Sequence, residues 1–580
     1  MKTILTCILV PCLLSAASSA RSIWYVDADA TGEENGDSWF HAFTDLQDAL
    51  ARAASGDEIW VAEGTYTPSD SDASLSFVLV DGVGLYGGFS GVESSRSERD
   101  PQMHETILSG DIGRDDVVGS GSGWYLGWNR NTANAGHVLT AEHVGSDTIV
   151  DGFIIADGAT GPSGTIAGDT LMWGSGLYAV DSSLTVRDCT FRHNLCAWAK
   201  GGAIFLWDSN ARITRCRLVE NWAHLGDGAG LGTYGTSAPI VEECLFRDNH
   251  CTEASGGGNG AGMAHWASTD ITVRRCEFRS NHASPFYAIG GNGAYGGGLW
   301  NWSGSMTVQD CTFQGNVANV GAGFWTWGDA TVIDSLFFDN EARPQPRDPY
   351  PELGGYPAGA GNQSFGGSTL RVHNSTFTGN RGKKHTAIAT LGDGTAEIVN
   401  SILWNNHATL ADVQGTWRKE LAGTFDASSS CIQFIFDPPE PGEDPIDPAN
   451  IPGCIDLDPM FENPASFDLH LRPGSPCIDA GDNAVVTWGL DLDRNNRRID
   501  DPDAPDVGFG TGPLVDMGAF ERQVGGCAPD LTGDGVLDIF DIVAFLGRFE
   551  SGDPAADWNG DTIHDIFDVL AYLDAFTSGC

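Results

Sequence analysis

Positive charge is what this 580-residue chain has least of: Lys and Arg together number 31 against 78 Asp and Glu, a formal charge of −47. A field of that sign repels phosphate backbones and anionic bilayers, which excludes nucleic acid and general membrane binding as functions. Long apolar runs are also missing. Past the first 20 residues no segment approaches the ~20 consecutive apolar residues of a membrane span, so membrane insertion is excluded too. Apolar poverty, the mark of disorder, is not among the lacks, because hydrophobic residues make up 41% of the chain. Glycine is abundant at 76 residues, about twice ordinary usage, and implies many tight turns around a continuous core.

The N-terminus reads as an export signal. Met1 and Lys2 precede an apolar stretch from Ile4 to Leu14, and Ser18-Ser19-Ala20 supplies the small residues of a cleavage site. Residues 1–20 are thus expected to be removed, leaving a secreted protein, extracellular or on the cell surface. Of 14 cysteines, Cys7 and Cys12 leave with the signal, and the rest enter an oxidising compartment. No cysteine sits just after the cleavage point, which argues against a lipid anchor.

The middle of the chain repeats. Cys or Ser, any residue, Phe or Leu, two residues and then Asn recurs as Cys189-Phe191-Asn194, Cys216-Leu218-Asn221, Cys244-Phe246-Asn249, Cys276-Phe278-Asn281, Cys311-Phe313-Asn316, Ser335-Phe337-Asn340, Ser375-Phe377-Asn380 and Ser401-Leu403-Asn406. The spacings, 24 to 40 residues, are those of a solenoid whose loops absorb the variation. Segments such as Leu184-Thr185-Val186 are short and β-branched, glycine clusters such as Gly228-Ala229-Gly230 punctuate them, and no amphipathic helix lies between them. The expected fold is all-β: a right-handed parallel β-helix, one coil per repeat, with Phe and Leu stacked inside. The terminal Asn is expected to take the left-handed turn conformation and to bond along the stack. Neighbouring coils could bring two of the five motif cysteines within disulfide reach, but five is odd, so at least one must lack a partner in its column.

Trp24-Tyr25-Val26-Asp27, Asp45 to Leu50, Gly56 to Tyr66 and Leu85 to Phe89 resemble the opening of secreted bacterial β-helix repeat proteins of pectin-lyase-like architecture. Asp458-Pro459-Met460-Phe461, Gly474 to Gly481 and Asp516-Met517-Gly518-Ala519-Phe520-Glu521 resemble the family's distal end, the choice-of-anchor Q region. The resemblance implies a cap and first coils over 21–136, main coils over 137–410 and a distal region over 411–523. It speaks to fold and is silent on reaction.

A separate module is expected over 527–580. From Asp530 and again from Asp557, 27 residues on, a twelve-residue loop supplies oxygen ligands at positions 1, 3, 5, 9 and 12 and a backbone carbonyl at position 7. These are Asp530, Thr532, Asp534, Asp538, Asp541 and the carbonyl of Val536, then Asp557, Asn559, Asp561, Asp565, Asp568 and the carbonyl of Ile563. Hard Ca²⁺ takes such a donor set. Apolar residues follow each loop at helical spacing, and the duplicated loop–helix unit resembles a dockerin domain. That resemblance implies a small α-helical, calcium-binding tail with a cohesin-like protein partner. Cys527 and Cys580 bracket it as the natural disulfide clasp. The tail ends each loop with Asp where an EF-hand has Glu, and Thr562 replaces the sharp-turn glycine of loop two.

Residues four places beyond the glycine clusters are often aromatic: Tyr234, Trp266, Trp302, Trp327 and Phe365, with Trp300 and Trp325 sharing that parity. If the parity is outward they make a strip suited to stacking on sugar rings; otherwise they pack beneath loops. Hydrolysis would need paired carboxylates, for which Asp208, Asp227, Asp270 and Asp329 are candidates. Elimination would need a base such as Arg215, Arg217, Arg274, Arg275 or Arg279, but interleaved Asp188, Glu243, Glu277 and Asp310 favour ion pairs between coils. His193, His224 and His265 are equally ambiguous. The expectation is a secreted, carbohydrate-contacting scaffold, polysaccharide or cell-surface glycan being its partner, with a Ca²⁺-dependent docking tail. The alternative is a polysaccharide lyase or glycoside hydrolase.

Overall fold

The computed structural model describes residues 21–114, 134–160, 173–197, 200–253, 258–285, 294–343, 358–364, 366–382, 385–408, 419–436, 448–486, 489–523, 529, 531–532, 539–559 and 563–578. The chain divides into two compact units, Met1–Thr269 with Ser284–Tyr287 and Asp270–Ala283 with Ala288–Cys580.

In the first unit, strands of two to six residues pair in parallel with their equivalents one coil away. A typical coil runs Leu177–Val180, Thr185–Arg187, Thr190–Arg192 and Leu195–Cys196, and each strand meets its counterpart in the next coil at Ile204–Trp207, Arg212–Thr214, Arg217–Val219 and Trp222–His224. One face of every sheet is interior, which is why Phe191, Leu218 and Phe246 are fully buried. Near the chain start a helix, α1 (Leu46–Arg52), is capped by the Asp45 carboxylate accepting from Gln47 N–H at 2.9 Å, and turns Leu46, Ala49 and Leu50 inward.

The second unit continues the same construction with its own coils. Phe278, Phe313, Phe337 and Phe377 are in register and nearly coplanar at 4.8, 4.4 and 4.4 Å between ring centroids. Beside them runs a column of small side chains: Cys276 N–H donates to Cys311 Sγ, Cys311 N–H to Ser335 Oγ, and Ser335 N–H to Ser375 Oγ. Cys311 Sγ–H and Ser335 Oγ–H each donate to the carbonyl two residues back. Cysteine and serine therefore do the same work, and the thiol of Cys311 is used as a weak hydrogen bonder.

The asparagines form the ladder expected of them, with one correction. Asn281 Nδ2 donates to Asn316 Oδ1 at 3.0 Å, Asn316 to Asn340 at 2.9 Å, Asn340 to Asn380 at 2.9 Å and Asn380 to Asn406 at 2.7 Å. In the first unit Asn194, Asn221 and Asn249 do the same. The left-handed residue is not the asparagine but the one before it: His193 at φ 58°, Glu220 at 55°, Asp248 at 53° and Ser280 at 52°. The reason is steric. The corner must turn its asparagine wholly inward, so the αL cost of ~1–2 kcal/mol falls on a residue whose side chain points out. A second left-handed corner, at Asp188, Arg215 and Glu243, precedes the cysteines. The ladder ends on a carboxylate that the motif does not contain: Glu420 Oε2 accepts from Asn406 Nδ2 at 2.7 Å. Burial pushes that carboxyl up to about 8.

Residues 448–486 and 489–522 fold against the second unit's coils around Leu336, Phe338, Ile402 and Cys431. The two segments quoted for the distal resemblance meet: Asp479 N–H donates to Asp516 Oδ1 at 2.8 Å and Met517 N–H to Cys477 O at 2.9 Å. Arg497, fully buried, joins them to the coils through Asp334 at 2.9 Å and the carbonyls of Gly518 and Ala519. At the chain end two helices, α2 (Ile539–Ser551) and α3 (Ile566–Ser578), stack Phe545 on Tyr572 at 4.1 Å, with Trp558 edge-on to Tyr572. Among the described residues no helix is long and apolar enough to cross a membrane.

Candidate functional site

Aromatic side chains gather on the outside of each unit where strands run into turns. In the first unit Trp207 and Tyr234 are register partners at the ends of Ile204–Trp207 and Leu231–Tyr234, their rings 5.7 Å apart and edge-on. Trp173 lies against both, 4.8 Å from Trp207 and 6.3 Å from Tyr234. Tyr234 is 40% exposed. Trp266 follows next to it, its N–H donating to Asp227 Oδ2 at 3.0 Å, while Lys200 Nζ sits 3.4 Å over its ring and bonds the same carboxylate at 2.8 Å. One face of Trp266 is thus taken by the lysine, which leaves Trp207, Tyr234 and Trp173 as the accessible ledge.

In the second unit Trp302 and Trp327 lie 4.3 Å apart, and Trp302 is 37% exposed. Trp300 and Trp325, given the same outward parity from sequence, are buried: Trp300 packs at 5.7 Å from Trp302 and 5.9 Å from Trp327, and Trp325 at 5.9 Å from Tyr295. They support the ledge from beneath and contribute no open surface. The half-buried Trp327 has an indole N–H without an acceptor among the described residues. Phe365 lies outside the described residues.

Sequence reasoning missed Trp207 and Trp173. Trp207 was legible, because Gly201-Gly202-Ala203 is a glycine cluster whose last member is alanine, and counting four on from Ala203 reaches it. Trp173 carries no repeat signal, and only its position against Trp207 reveals it.

The carboxylates proposed as acid–base pairs hold turns instead. Asp208 accepts from Thr236 N–H at 2.7 Å, Asp227 from Asn259 N–H at 2.7 Å, Asp270 from Ser305 N–H at 3.1 Å and Asp329 from Thr369 N–H at 2.8 Å. Arg215 makes a two-point bond to Asp188, at 2.7 Å each, and Arg279 pairs with Glu277. His193 bridges Asp157 and Glu220, and His224 meets Thr252. Burial pushes His265 down to about 4, so it is a neutral ring between Thr233 and Thr269. One cleft does stand out in the first unit, a cavity of about 990 Å³ lined by Arg96, Arg99, Arg215 and Arg217 with Glu58 and Asp188. Arg96 and Arg21 pair with Glu58, and Arg99 and Arg187 with Asp151. The guanidinium of Arg217 has no hydrogen-bond or ion-pair partner among the described residues, its backbone N–H alone donating to Cys189 O at 2.8 Å.

In the tail, Asp541 and Asp568, the twelfth residues of the two loops, are fully buried at the starts of α2 and α3. Asp541 Oδ1 accepts from Thr532 N–H at 2.9 Å and Asp568 Oδ1 from Asn559 N–H at 3.2 Å, so position 12 closes onto position 3 in both loops. Asp565 N–H donates to Asp568, and with Asn559 N–H it holds that carboxyl below the usual range. Asp557 is half-buried and Ile563 exposed. Asp530, Asp534, Val536, Asp538, Asp561, Cys527 and Cys580 lie outside the described residues. The donors in place are oxygen only, and two buried carboxylates turned into their loops are what a hard cation would require.

A family model described as the right-handed beta helix region matches residues 146–338. No curated protein matches the chain. Among solved structures, the chain is similar to pectate lyase Pel9A, at 12% identity over 87% of this chain and 97% of that one with a TM-score of 0.40. It is also similar to XylC in complex with xylose, at 10% identity over 76% and 87% with a TM-score of 0.33. A rhamnogalacturonan lyase is 11% identical over 75% and 87% with a TM-score of 0.26. The fold is a right-handed parallel β-helix with a small helical region at its C-terminal end.

Proposed function

We infer that this is a secreted or cell-surface β-helix protein that contacts polysaccharide through its aromatic ledges, and that its tail binds Ca²⁺ and docks on a cohesin-like protein. The observation that carries the carbohydrate reading is the ledge of Trp207, Tyr234 and Trp173. A sugar ring offers aliphatic C–H groups to an aromatic face and hydroxyls to surrounding donors. Mutually braced rings, Tyr234 exposed and Trp207 and Trp173 half-buried, supply the first at little entropic cost. Trp302 on Trp327 repeats the arrangement in the second unit. The charge of −47 favours a neutral glycan over a polyanion.

For the tail, the bound cation would neutralise carboxylates gathered at the two helix starts. The residues to hold it are those of the two loops, Asp541 and Asp568 closing each. The exposed apolar side chains duplicate with the loops: Ile539, Phe540 and Val543 on α2 correspond to Ile566, Phe567 and Leu570 on α3, all 54 to 64% exposed. A tail presenting one apolar face twice suits a folded protein partner with a matching apolar patch, which is the cohesin-like reading.

The arginine cleft supports the alternative, a lyase or hydrolase, in which Arg217, the lining arginine whose guanidinium is not tied up in an ion pair, would meet an incoming acidic or neutral sugar. One experiment separates the two. The mature full chain is passed over a panel of insoluble polysaccharides, and the eluate is read for unsaturated products and for new reducing ends. Retention without products supports the binding scaffold. Products lost in Arg217→Ala establish the enzyme, and neither retention nor products refutes both.

A further inference from the structure

Asp479, Asp500 and Asp506 each bring a carboxylate oxygen within 4.8 Å of the other two. Asp500 and Asp506 are exposed, whereas Asp479 is fully buried. Asp479 is also fixed in place. Its N–H donates to Asp516 Oδ1 at 2.8 Å, its carbonyl accepts from Val507 and Gly508 N–H at 3.2 and 3.0 Å, and its Oδ2 accepts from Asp501 N–H at 3.1 Å. The remaining oxygen, Oδ1, is buried and has no hydrogen-bond partner among the described residues. A buried carboxylate oxygen left unmatched is costly, on the order of several kcal/mol for a charged group, and calls for a ligand. No lysine or arginine among the described residues pairs with any of the three. The contrast is next door, where Asp501 has Arg522 at 3.3 Å.

We propose that Asp479, Asp500 and Asp506 form a divalent-cation site, Ca²⁺ by preference, that staples segment 500–508 onto the distal end of the second unit. The donors are oxygen only, which selects hard cations over zinc or copper. Two oxygens bound to one Ca²⁺ at about 2.4 Å lie at most about 4.8 Å apart, which the cluster satisfies. The two exposed carboxylates leave the outer coordination positions to water, as Ca²⁺ with its six to eight ligands accepts. The ion would join the anchored Asp479 to a segment that otherwise relies on backbone bonds, the Asp501–Arg522 pair and the packing of Ala504. This site is independent of the tail loops and of any glycan.

The test uses the full chain and counts bound ions by equilibrium dialysis against CaCl₂, MgCl₂ and MnCl₂ in turn. Wild type should bind one Ca²⁺ more than Asp500→Asn/Asp506→Asn. The tail contributes equally to both proteins, so failure of the tail reading changes the totals and not the difference. Melting supplies the second measurement. In chelator the double variant should melt at or above wild type, because two repelling charges are gone. With Ca²⁺, wild type should gain stability by a step that the variant lacks. A variant that merely misfolds would melt lower in both conditions. Equal ion counts with all three metals, or a metal-induced shift the same in both proteins, would overturn the site.

Discussion

Replacing Asn316 with Leu removes one rung of the ladder at nearly constant volume. Asn316 is fully buried, its Oδ1 accepts from Asn281 N–H and Asn281 Nδ2 at 3.0 Å each, and its Nδ2 donates to Phe278 O at 2.8 Å and Asn340 Oδ1 at 2.9 Å. Leucine supplies none of these. Asn281 loses an acceptor for two donors and the Phe278 carbonyl loses its side-chain donor, while Asn340 Oδ1 keeps the Asn316 backbone N–H. Of the four lost bonds, three strip a buried group of its partner, and at about 1 kcal/mol each these give a destabilisation of ~3 kcal/mol, somewhat more if the neighbours cannot relax. Because a solenoid need not unfold in one step, a local readout is preferable to a single midpoint. Hydrogen exchange at the Asn281 amide serves, with the Asn194 amide of the first unit as internal reference. At 1.4 kcal/mol per tenfold, its protection should fall on the order of 100-fold while Asn194 is unmoved. Unchanged protection at Asn281 would show that the ladder contributes no net stability and would refute the reasoning.

Glu420 sets a pH dependence. Its folded pKa, about 8 through burial, lies above the ordinary carboxylate value. The folded state therefore keeps a proton that the unfolded chain has released, and this contribution to stability, complete below the ordinary carboxylate range, is lost as pH rises through about 8. At roughly 1.4 kcal/mol per pKa unit the effect amounts to several kcal/mol. Glu420→Gln should flatten the melting-temperature profile between pH 5 and 8; an unaltered slope would contradict it. Buried Asp516, raised to about 7, acts in the same direction and is the background against which the difference is taken. In the second unit, Trp302→Ala should lower the quenching of tryptophan fluorescence by acrylamide, and no change would mean that Trp302 is not the accessible indole there. For the tail, Asp541→Asn and Asp568→Asn should each remove a Ca²⁺-dependent gain in helical circular dichroism of the full chain, and a signal indifferent to Ca²⁺ in wild type would exclude the dockerin-like reading.

The coil, the interior stack and the ladder were legible because they follow from repetition: Phe two residues after Cys or Ser must share its face, and the Asn recurs at one position of every coil. The left-handed corner was placed one residue late, since the sequence shows that a turn is needed but not which residue gives up its interior position. Glu420 lies outside the motif and could be found only in three dimensions, and the same holds for Arg497. Parity located the aromatic ledges, yet it could not distinguish Trp302 from Trp300, because outward pointing and exposure differ wherever rings pack on one another. The candidate carboxylates were indistinguishable from turn-holding ones for the same reason: Asp208 and Asp329 accept backbone N–H groups from the next coil, a relation that no linear spacing encodes.

Carbohydrate contact is the central claim, and its most direct measurement is the affinity of the full chain for an oligosaccharide of the polysaccharide that retains it, set against Trp207→Ala/Tyr234→Ala. These two rings brace each other on the surface, so the fold and the melting temperature should be preserved. Losing two stacking faces at about 1 kcal/mol each should weaken binding roughly 10- to 30-fold by calorimetry. Equal affinity in wild type and variant, both folded, would contradict the account.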